Sequence, residues 1–245
     1  MIVNATDLKN NLGKYLRLSA REEILITSNG RYVARLSAYD GAGAPPAAGG
    51  RAGEGAPVYD YAPRKATYEE FLRLTESSEE RYEYIDGEIH VLASPTISHQ
   101  RVLGELYGIF RQCFQGKPYL PMLAPFDITL KRHVEDINVV QPDLMVICDL
   151  GEKRNERDYY MGTPTLVVEI LSESTRRKDL IEKLDLYMST GVREYWLVNP
   201  LNKEVTVHFF EDNDLSRNAT YRVGESAVSW AFPGVTASLA DIFAP

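Results

Sequence analysis

Two acidic residues of this chain stand inside apolar strands. Asp143 follows Pro142 at the start of the run 144–147, and Glu169 lies within the run 166–171. A carboxylate among Val, Leu and Ile side chains is costly unless it is paired or binds a cation. If the two strands are adjacent, both carboxylates reach one point, and oxygen ligands of this kind suit Mg²⁺ or Mn²⁺. Such a cation lowers the pKa of a bound water and offsets charge on a phosphoryl oxygen, so the pair predicts a hydrolytic metal site.

A lysine follows the second acid. Asp179, Lys183 and Tyr187 are spaced four residues apart and therefore share one face of a helix predicted over about 175–189. A lysine beside a metal site can orient the attacking water or stabilise the developing negative charge. The competing interpretation is a surface ion pair between Asp179 and Lys183, which would contribute about a few tenths of a kcal/mol. The position of Glu169 just ahead of this helix favours the functional interpretation.

The elements that would position these residues belong to the larger of two predicted modules. Residues 1–40 form a short module, residues 41–65 are rich in Gly, Ala and Pro and read as a flexible linker, and residues 66–245 form the main domain. The main domain alternates apolar strands with helical stretches. Its order and content predict an α/β fold, with a mixed central sheet flanked by helices.

Composition and charge narrow the function classes. The chain has 245 residues and a formal net charge of -8, which argues against a protein that coats nucleic acid non-specifically. No apolar run approaches the roughly 20 residues that cross a bilayer, so no membrane association is expected. The two cysteines, Cys113 and Cys148, lie in apolar contexts without metal-ligand spacing and are expected to be free thiols of a cytoplasmic protein.

The N-terminal module combines one helix with a strand pair around Asn29-Gly30, a strong hairpin signal. Its segments 4–8, 26–31 and 33–36 resemble the Phd/YefM antitoxins, which are small dimeric DNA-binding proteins. The resemblance implies a small α+β module that dimerises and binds DNA. The alternative is a dimerisation module without DNA contacts. A module of forty residues buries little surface, so a homodimer or another partner is expected in either case.

The main domain carries a second resemblance, over about residues 66–245. The segments that carry it are Tyr84-Ile85-Asp86-Gly87-Glu88, Ser94-Pro95 with His99, Pro142-Asp143, Val168-Glu169-Ile170-Leu171-Ser172, Lys183 with Tyr187, and Gly191-Val192-Arg193-Glu194-Tyr195-Trp196. In order and spacing they are similar to the Uma-type restriction endonucleases of the PD-(D/E)xK nuclease superfamily. The resemblance implies a restriction-endonuclease-like core and metal-dependent hydrolysis of phosphodiester bonds.

Within that resemblance, Asp143 and Glu169 correspond to the metal ligands. The superfamily lysine normally stands two positions after the second acid, where this chain has Leu171. The Uma-type family is similar to this chain in placing its lysine on the following helix, which matches Lys183. The additional acid of the superfamily best matches Glu83. Glu88 is the competing candidate, and either acid could instead be a polar strand residue that faces water.

Several polar residues are candidates for substrate contact. His99 begins a helix and can face the cleft, although a lone histidine there is more often structural. Gln141, directly before the Pro-Asp pair, can bind substrate or end a strand. The basic cluster Arg176-Arg177-Lys178 adjoins the site and is the best candidate for phosphate contacts.

Together these features predict a Mg²⁺- or Mn²⁺-dependent endonuclease that acts on DNA. The competing hypothesis is a non-cutting DNA-binding regulator, or an antitoxin-like protein, that carries an inactive nuclease fold. A mobile-element or defence component that cuts only with a partner is a third hypothesis, with the partner expected from a toxin–antitoxin or defence system. The intact acid pair and Lys183 favour an active enzyme.

Overall fold

The computed structural model describes residues 1–4, 8, 12–19, 24–28, 31–37, 64–172, 175 and 178–244. The chain divides into two compact units, Met1–Asp60 and Tyr61–Pro245. Most of the predicted linker, 41–65, lies outside the described residues, and so do Asn29 and Gly30 of the predicted turn. In the part of the chain that the structure describes, no helix is long and apolar enough to cross a membrane.

The described residues of the smaller unit include a helix and a three-stranded sheet. The elements are β1 (Ile2–Asn4), α1 (Leu12–Ser19), β2 (Ile24–Ser28) and β3 (Arg31–Leu36). Strand β2 lies in the middle, parallel to β1 and antiparallel to β3. Val3, Tyr15, Ile24 and Ile26 form its small buried core. The predicted helix and strand pair are present, and β1 is an additional strand. The relation to antitoxins, and the dimer, stay predictions.

The described part of the larger unit has three sheets: a central one, a second one, and a two-stranded one formed by residues 226–228 and 236–238. Its strands are β4 (Arg64–Lys65), β5 (Tyr82–Ile85), β6 (Glu88–Val91), β7 (Leu120–Leu123), β8 (Ile128–Leu130), β9 (Asn138–Val140), β10 (Leu144–Ile147), β11 (Leu166–Ile170), β12 (Glu194–Asn199), β13 (Glu204–Glu211), β14 (Asp214–Arg222), β15 (Ser226–Val228) and β16 (Thr236–Ser238). The central sheet has the order β14-β13-β12-β11-β10-β7, and a second sheet has the order β4-β6-β5-β9-β8. Only β11 and β12 run parallel among neighbouring strands of the central sheet. The predicted mixed sheet is therefore present, whereas the second sheet was not foreseen.

The helices of this unit are α2 (Tyr68–Ser77), α3 (Ile97–Cys113), α4 (Leu150–Lys153), a π-helix (Lys178–Glu182), α5 (Lys183–Ser189) and α6 (Leu239–Ile242). The segment Thr67-Tyr68-Glu69-Glu70 predicts a capping box, and Thr67 and Glu70 form one at the start of α2. The sequence predicts Ser98 as the N-cap of α3, but Thr96 is the N-cap and accepts a hydrogen bond from the His99 amide, so the helix begins two residues earlier.

The main core lies between α3 and the central sheet. The sequence predicts an apolar stripe on α3 formed by Val102, Leu103, Leu106, Ile109, Phe110 and Cys113. These residues pack in one core with the buried strands β10, β11 and β12, and all but Ile109 and Cys113 are buried. Strands β10 and β11 are buried at every position. Strand residues buried on both faces explain why their sequences are continuously apolar rather than alternating.

One arginine fixes α5 against the second sheet. The Arg132 guanidinium forms ion pairs with Asp86 in the β5–β6 turn at 2.6 Å and with Asp185 on α5 at 3.1 Å. It also pairs with Asp136 at 3.2 Å and donates to Ser189 Oγ at 2.9 Å. The Asp86-Gly87 dipeptide predicts a hairpin turn, and the two residues have the φ values of 50° and 78° that such a turn requires. Arg132 therefore holds together the elements that carry Glu83 and Lys183.

Candidate active site

The two acids first seen in the sequence lie on adjacent strands. Strand β10 pairs with β11 in antiparallel register, with Leu144 opposite Val168. Continuing that register by one residue places Asp143 opposite Glu169. Residues opposite one another in an antiparallel pair project to the same side of the sheet. Both side chains accordingly line one cleft, which the sequence predicted on the condition that the strands were neighbours.

Asp143 is held by two hydrogen bonds to one of its oxygens. Its Oδ2 atom accepts the Ile170 amide at 2.7 Å and lies 3.2 Å from Nε2 of His99. No described residue donates to Oδ1. One carboxylate oxygen thus orients the side chain, and the other is left for a ligand in the cleft.

Glu169, like Asp143, accepts hydrogen bonds on one of its two carboxylate oxygens. Its Oε1 atom accepts hydrogen bonds from Lys183 Nζ and from Tyr187 Oη, each at 2.7 Å. Its Oε2 atom receives no hydrogen bond from the described residues. The helix face shared by Asp179, Lys183 and Tyr187 is therefore directed toward Glu169, as predicted. The alternative of a surface ion pair between Asp179 and Lys183 is wrong, because both side chains are only 2% exposed.

Glu83 lies behind the lysines. It is completely buried in β5, and its carboxylate contacts Lys183 Nζ at 2.7 Å and Lys178 Nζ at 2.5 Å. Its Oε1 atom also accepts the Gln141 amide at 3.0 Å. The competing acid Glu88 is on the neighbouring strand β6, opposite Ile85. Glu83, rather than Glu88, thus reaches the site by holding both lysines.

The site opens into a cleft of about 890 Å³. Asp143, Glu169, Lys178, Asp179 and Lys183 line it. The start of α3 contributes another part of the wall, and the residues after β12 contribute a third. A cleft of this size with convergent charged groups is the usual form of a ligand or substrate site.

The electrostatics of the cleft favour a cation. The carboxylates of Glu83, Asp143, Glu169 and Asp179 outnumber the cations Arg81, Lys178 and Lys183 of the described cleft residues by one. Burial raises the pKa of Glu169 to about 8, despite the opposing effect of Lys183. Burial likewise raises the pKa of Asp179, whose Oδ1 atom has no hydrogen-bond partner among the described residues.

The donor set fits Mg²⁺ or Mn²⁺. Asp143 and Glu169 each keep one oxygen that no described residue occupies, in a pocket with excess negative charge. Among the described residues there is no group of three His, Cys, Asp or Glu side chains arranged for a metal ion. Mg²⁺ does not require one, because it is commonly bound by one or two carboxylates and completes its shell with water and substrate phosphate.

The structure distributes the other candidate residues as follows. His99 faces the cleft, with Nε2 toward Asp143, while its buried Nδ1 has no partner among the described residues. Gln141 also lines the cleft and donates from Nε2 to Asp127 at 2.8 Å. Lys178 is buried against Glu83, and Arg176 and Arg177 lie outside the described residues.

Two residues of the site were not assigned a role from the sequence. Tyr187 donates to Glu169, and Asp179 lines the cleft. The four-residue spacing from Lys183 was the available signal for both. This spacing predicts that the residues share one helix face, but it does not predict that the face contacts Glu169.

The chain is similar in sequence to known proteins. The family model described as "Uma2: Putative restriction endonuclease" matches residues 68–240. Two relatives from Synechocystis sp. are uncharacterized proteins. Protein slr1290 is 27% identical over 150 residues, which cover 61% of this chain and 76% of the relative. Protein sll1609 is 25% identical over 162 residues, which cover 66% of this chain and 89% of the relative.

A solved structure shares the fold. The crystal structure of "a putative nuclease belonging to DUF820" from Anabaena variabilis aligns with a TM-score of 0.60 and 19% sequence identity. The alignment covers 71% of this chain and 96% of that chain. At this identity the likeness concerns the fold.

Proposed function

Because this chain belongs to the Uma2 family of restriction-endonuclease-like proteins, we propose that it is a Mg²⁺- or Mn²⁺-dependent nuclease that hydrolyses phosphodiester bonds of DNA. The observation that carries the proposal is the position of Lys183. Its ammonium lies 2.7 Å from both Glu83 and Glu169, in the same cleft as Asp143. Two acids with a free oxygen each and a lysine beside them form the arrangement that such hydrolysis needs.

Asp143 and Glu169 are the residues that would hold the cation. When bound, the cation would supply an activated water and compensate charge on the scissile phosphate. Asp143 is oriented for this by the Ile170 amide and His99, and Glu169 by Lys183 and Tyr187. Side chains held in this way lose little freedom when a ligand arrives, which favours binding.

Lys183 supplies a permanent positive charge to the reaction. Its carboxylate neighbours raise its pKa well above the ordinary value, despite full burial, so it stays protonated. An ammonium in this position orients the attacking water by hydrogen bonding and stabilises negative charge that develops on the phosphate. It does not act as a general base. Glu83 touches no substrate in this scheme and acts as a positioning residue for the lysines.

The proposal is tested by nicking of supercoiled plasmid with purified full-length protein. Cleavage is expected with Mg²⁺ or Mn²⁺ and not with EDTA, and Asp143→Asn should abolish it. Asp158→Asn is the matched control, because that carboxylate is 74% exposed and lies outside the cleft. DNA binding without cleavage under every cation would instead support the non-cutting regulator.

A further inference from the structure

The π-helix brings a second lysine to the site. In a continuous α-helix, adjacent residues differ by about 100° around the axis, so Lys178 would point away from the face shared by Asp179 and Lys183. The π-helix Lys178–Glu182 has wider turns, with bonds from residue i to i+5. Lys178 and Lys183 are five residues apart and both contact Glu83. Single π-turns within helices are frequent at functional sites.

The two lysines around Glu83 have different carboxylate partners. One carboxylate faces two ammonium groups, and Lys183 also bonds to Glu169. Lys178 has three N–H donors, and Glu83 is its only hydrogen-bond partner in the described part of the chain. Lys178 also lines the cleft, with a side chain that is 9% exposed, so a ligand in the cleft would lie next to a lysine with unused donors.

The cleft is therefore polarised. Asp143, Glu169 and Asp179 carry the excess negative charge, whereas Lys178 and Lys183 carry positive charge next to it. A cation alone would bind only to the carboxylates. A cation together with a phosphate diester matches both parts, because the anionic phosphate oxygens would face the lysines.

We propose that Lys178, oriented by Glu83 and brought into the cleft by the π-helix, forms a phosphate-binding subsite for the backbone of a nucleic acid. This inference rests on the proposed function for its substrate class. It assigns to Lys178 a binding role separate from that of Lys183, whose ammonium bridges Glu83 and Glu169. Glu83 consequently serves as the common anchor of a lysine pair.

Equilibrium binding at varied salt tests the subsite. The probe is a fluorescein-labelled 20-base-pair DNA duplex, titrated with full-length protein by fluorescence anisotropy from 0.05 to 0.3 M KCl in 1 mM Ca²⁺. Gel electrophoresis after each titration verifies that the duplex is intact. Loss of one phosphate contact lowers the slope of log K against log[salt] by about 1 and weakens binding about eightfold at 0.1 M salt.

Lys178→Met should show this loss, and Lys178→Arg should retain most of the slope because it keeps the charge. Lys117→Met is the matched control. It removes one exposed lysine beyond the far end of α3, about 24 Å along the helix from the cleft. Its slope should equal that of the wild type.

An unchanged slope in Lys178→Met, or an equal loss in Lys117→Met, would overturn the subsite. Thermal melting separates unfolding from loss of contact, and Lys178→Gln, which removes the charge but keeps a hydrogen-bond donor for Glu83, is the second variant if the Met variant unfolds. The two proposals fail differently. A changed slope without cation-dependent cleavage would retain the subsite and reject the nuclease, and cleavage with an unchanged slope would do the reverse.

Discussion

The Nζ atom of Lys183 lies 2.7 Å from Oε1 of Glu169, although the two residues belong to a helix and a strand separated by a connecting segment. The pair is almost completely buried, with side-chain exposures of 2% and 5%. A buried ion pair contributes little net stability on average, because desolvation opposes the attraction. Removing one partner, however, leaves an uncompensated charge in the interior. A substitution in this pair is therefore expected to change both the stability of the fold and the proposed catalytic activity.

Substitution of Lys183 by Met should affect both properties. The variant leaves Glu169 with only Tyr187 as a donor and Glu83 with only Lys178 as a cation. We expect a loss of about 3–5 kcal/mol in the free energy of unfolding and loss of plasmid cleavage. Urea denaturation and nicking assays measure the two effects. Lys153→Met, at an exposed lysine, should change neither, and a Lys183→Met protein that still cuts would contradict the assigned role.

The cation should stabilise the folded protein. A ligand at 100 times its Kd raises the free energy of unfolding by about 2.7 kcal/mol. We therefore expect Mn²⁺ to raise the Tm of the wild type, and EDTA to reverse the shift. Asp143→Asn and Glu169→Gln should lose the shift because each replaces an anionic carboxylate ligand by a neutral amide. Differential scanning calorimetry measures it, and a full shift in both variants would place the cation elsewhere.

Glu194 provides a structural counterpart to Glu169. It is a fully buried acid on the neighbouring strand β12 and accepts hydrogen bonds from Trp196 Nε1 at 2.7 Å and from the amides of Trp230 and Ala231 at 2.6 and 2.8 Å. In Glu194→Gln at least one donor loses a charged acceptor, which should cost about 1–3 kcal/mol. The rate of plasmid cleavage by folded Glu194→Gln protein should equal that of the wild type. A loss of cleavage in the fully folded variant would show that Glu194 acts in the site.

Stability should depend on pH through His208. Burial lowers the pKa of His208 to about 4 from 6.5, so the folded protein keeps it neutral where the unfolded chain protonates. This contribution is favourable above pH 6.5 and is lost as pH falls toward 4, by about 3 kcal/mol in total. His208→Phe should flatten the decrease, as measured by urea denaturation at pH 7 and 4.5. His90, whose pKa burial also lowers to about 4, accounts for a remaining slope.

A control separates this effect from other histidines. His133 is exposed, and His133→Phe should keep the pH dependence of the wild type. Equal pH dependence in His208→Phe and the wild type would mean that another group causes it.

Local patterns predicted several elements correctly because they depend on nearby residues. The capping box at Thr67, the Asp86-Gly87 turn and the apolar stripe of α3 follow from hydrogen bonds and spacing within a few positions. The continuous helix over 175–189 was only partly right, because the π-helix occupies its first part. The contacts of Lys178 and Lys183 with Glu83 come from tertiary structure. Helical spacing in the sequence therefore does not predict the wider turn of the π-helix that allows both contacts.

The sequence by itself determined that carboxylates lie within apolar strands and that a lysine shares a helix face with Asp179 and Tyr187. Burial cost and helical period require no knowledge of distant partners. Only the tertiary structure decided which buried acids form a site. Glu194 satisfies the same sequence criterion as Glu169, yet its oxygens accept N–H groups of the fold. Asp143 and Glu169 keep an oxygen free of the described donors, because strand pairing places them together at an open cleft beside lysines from another element.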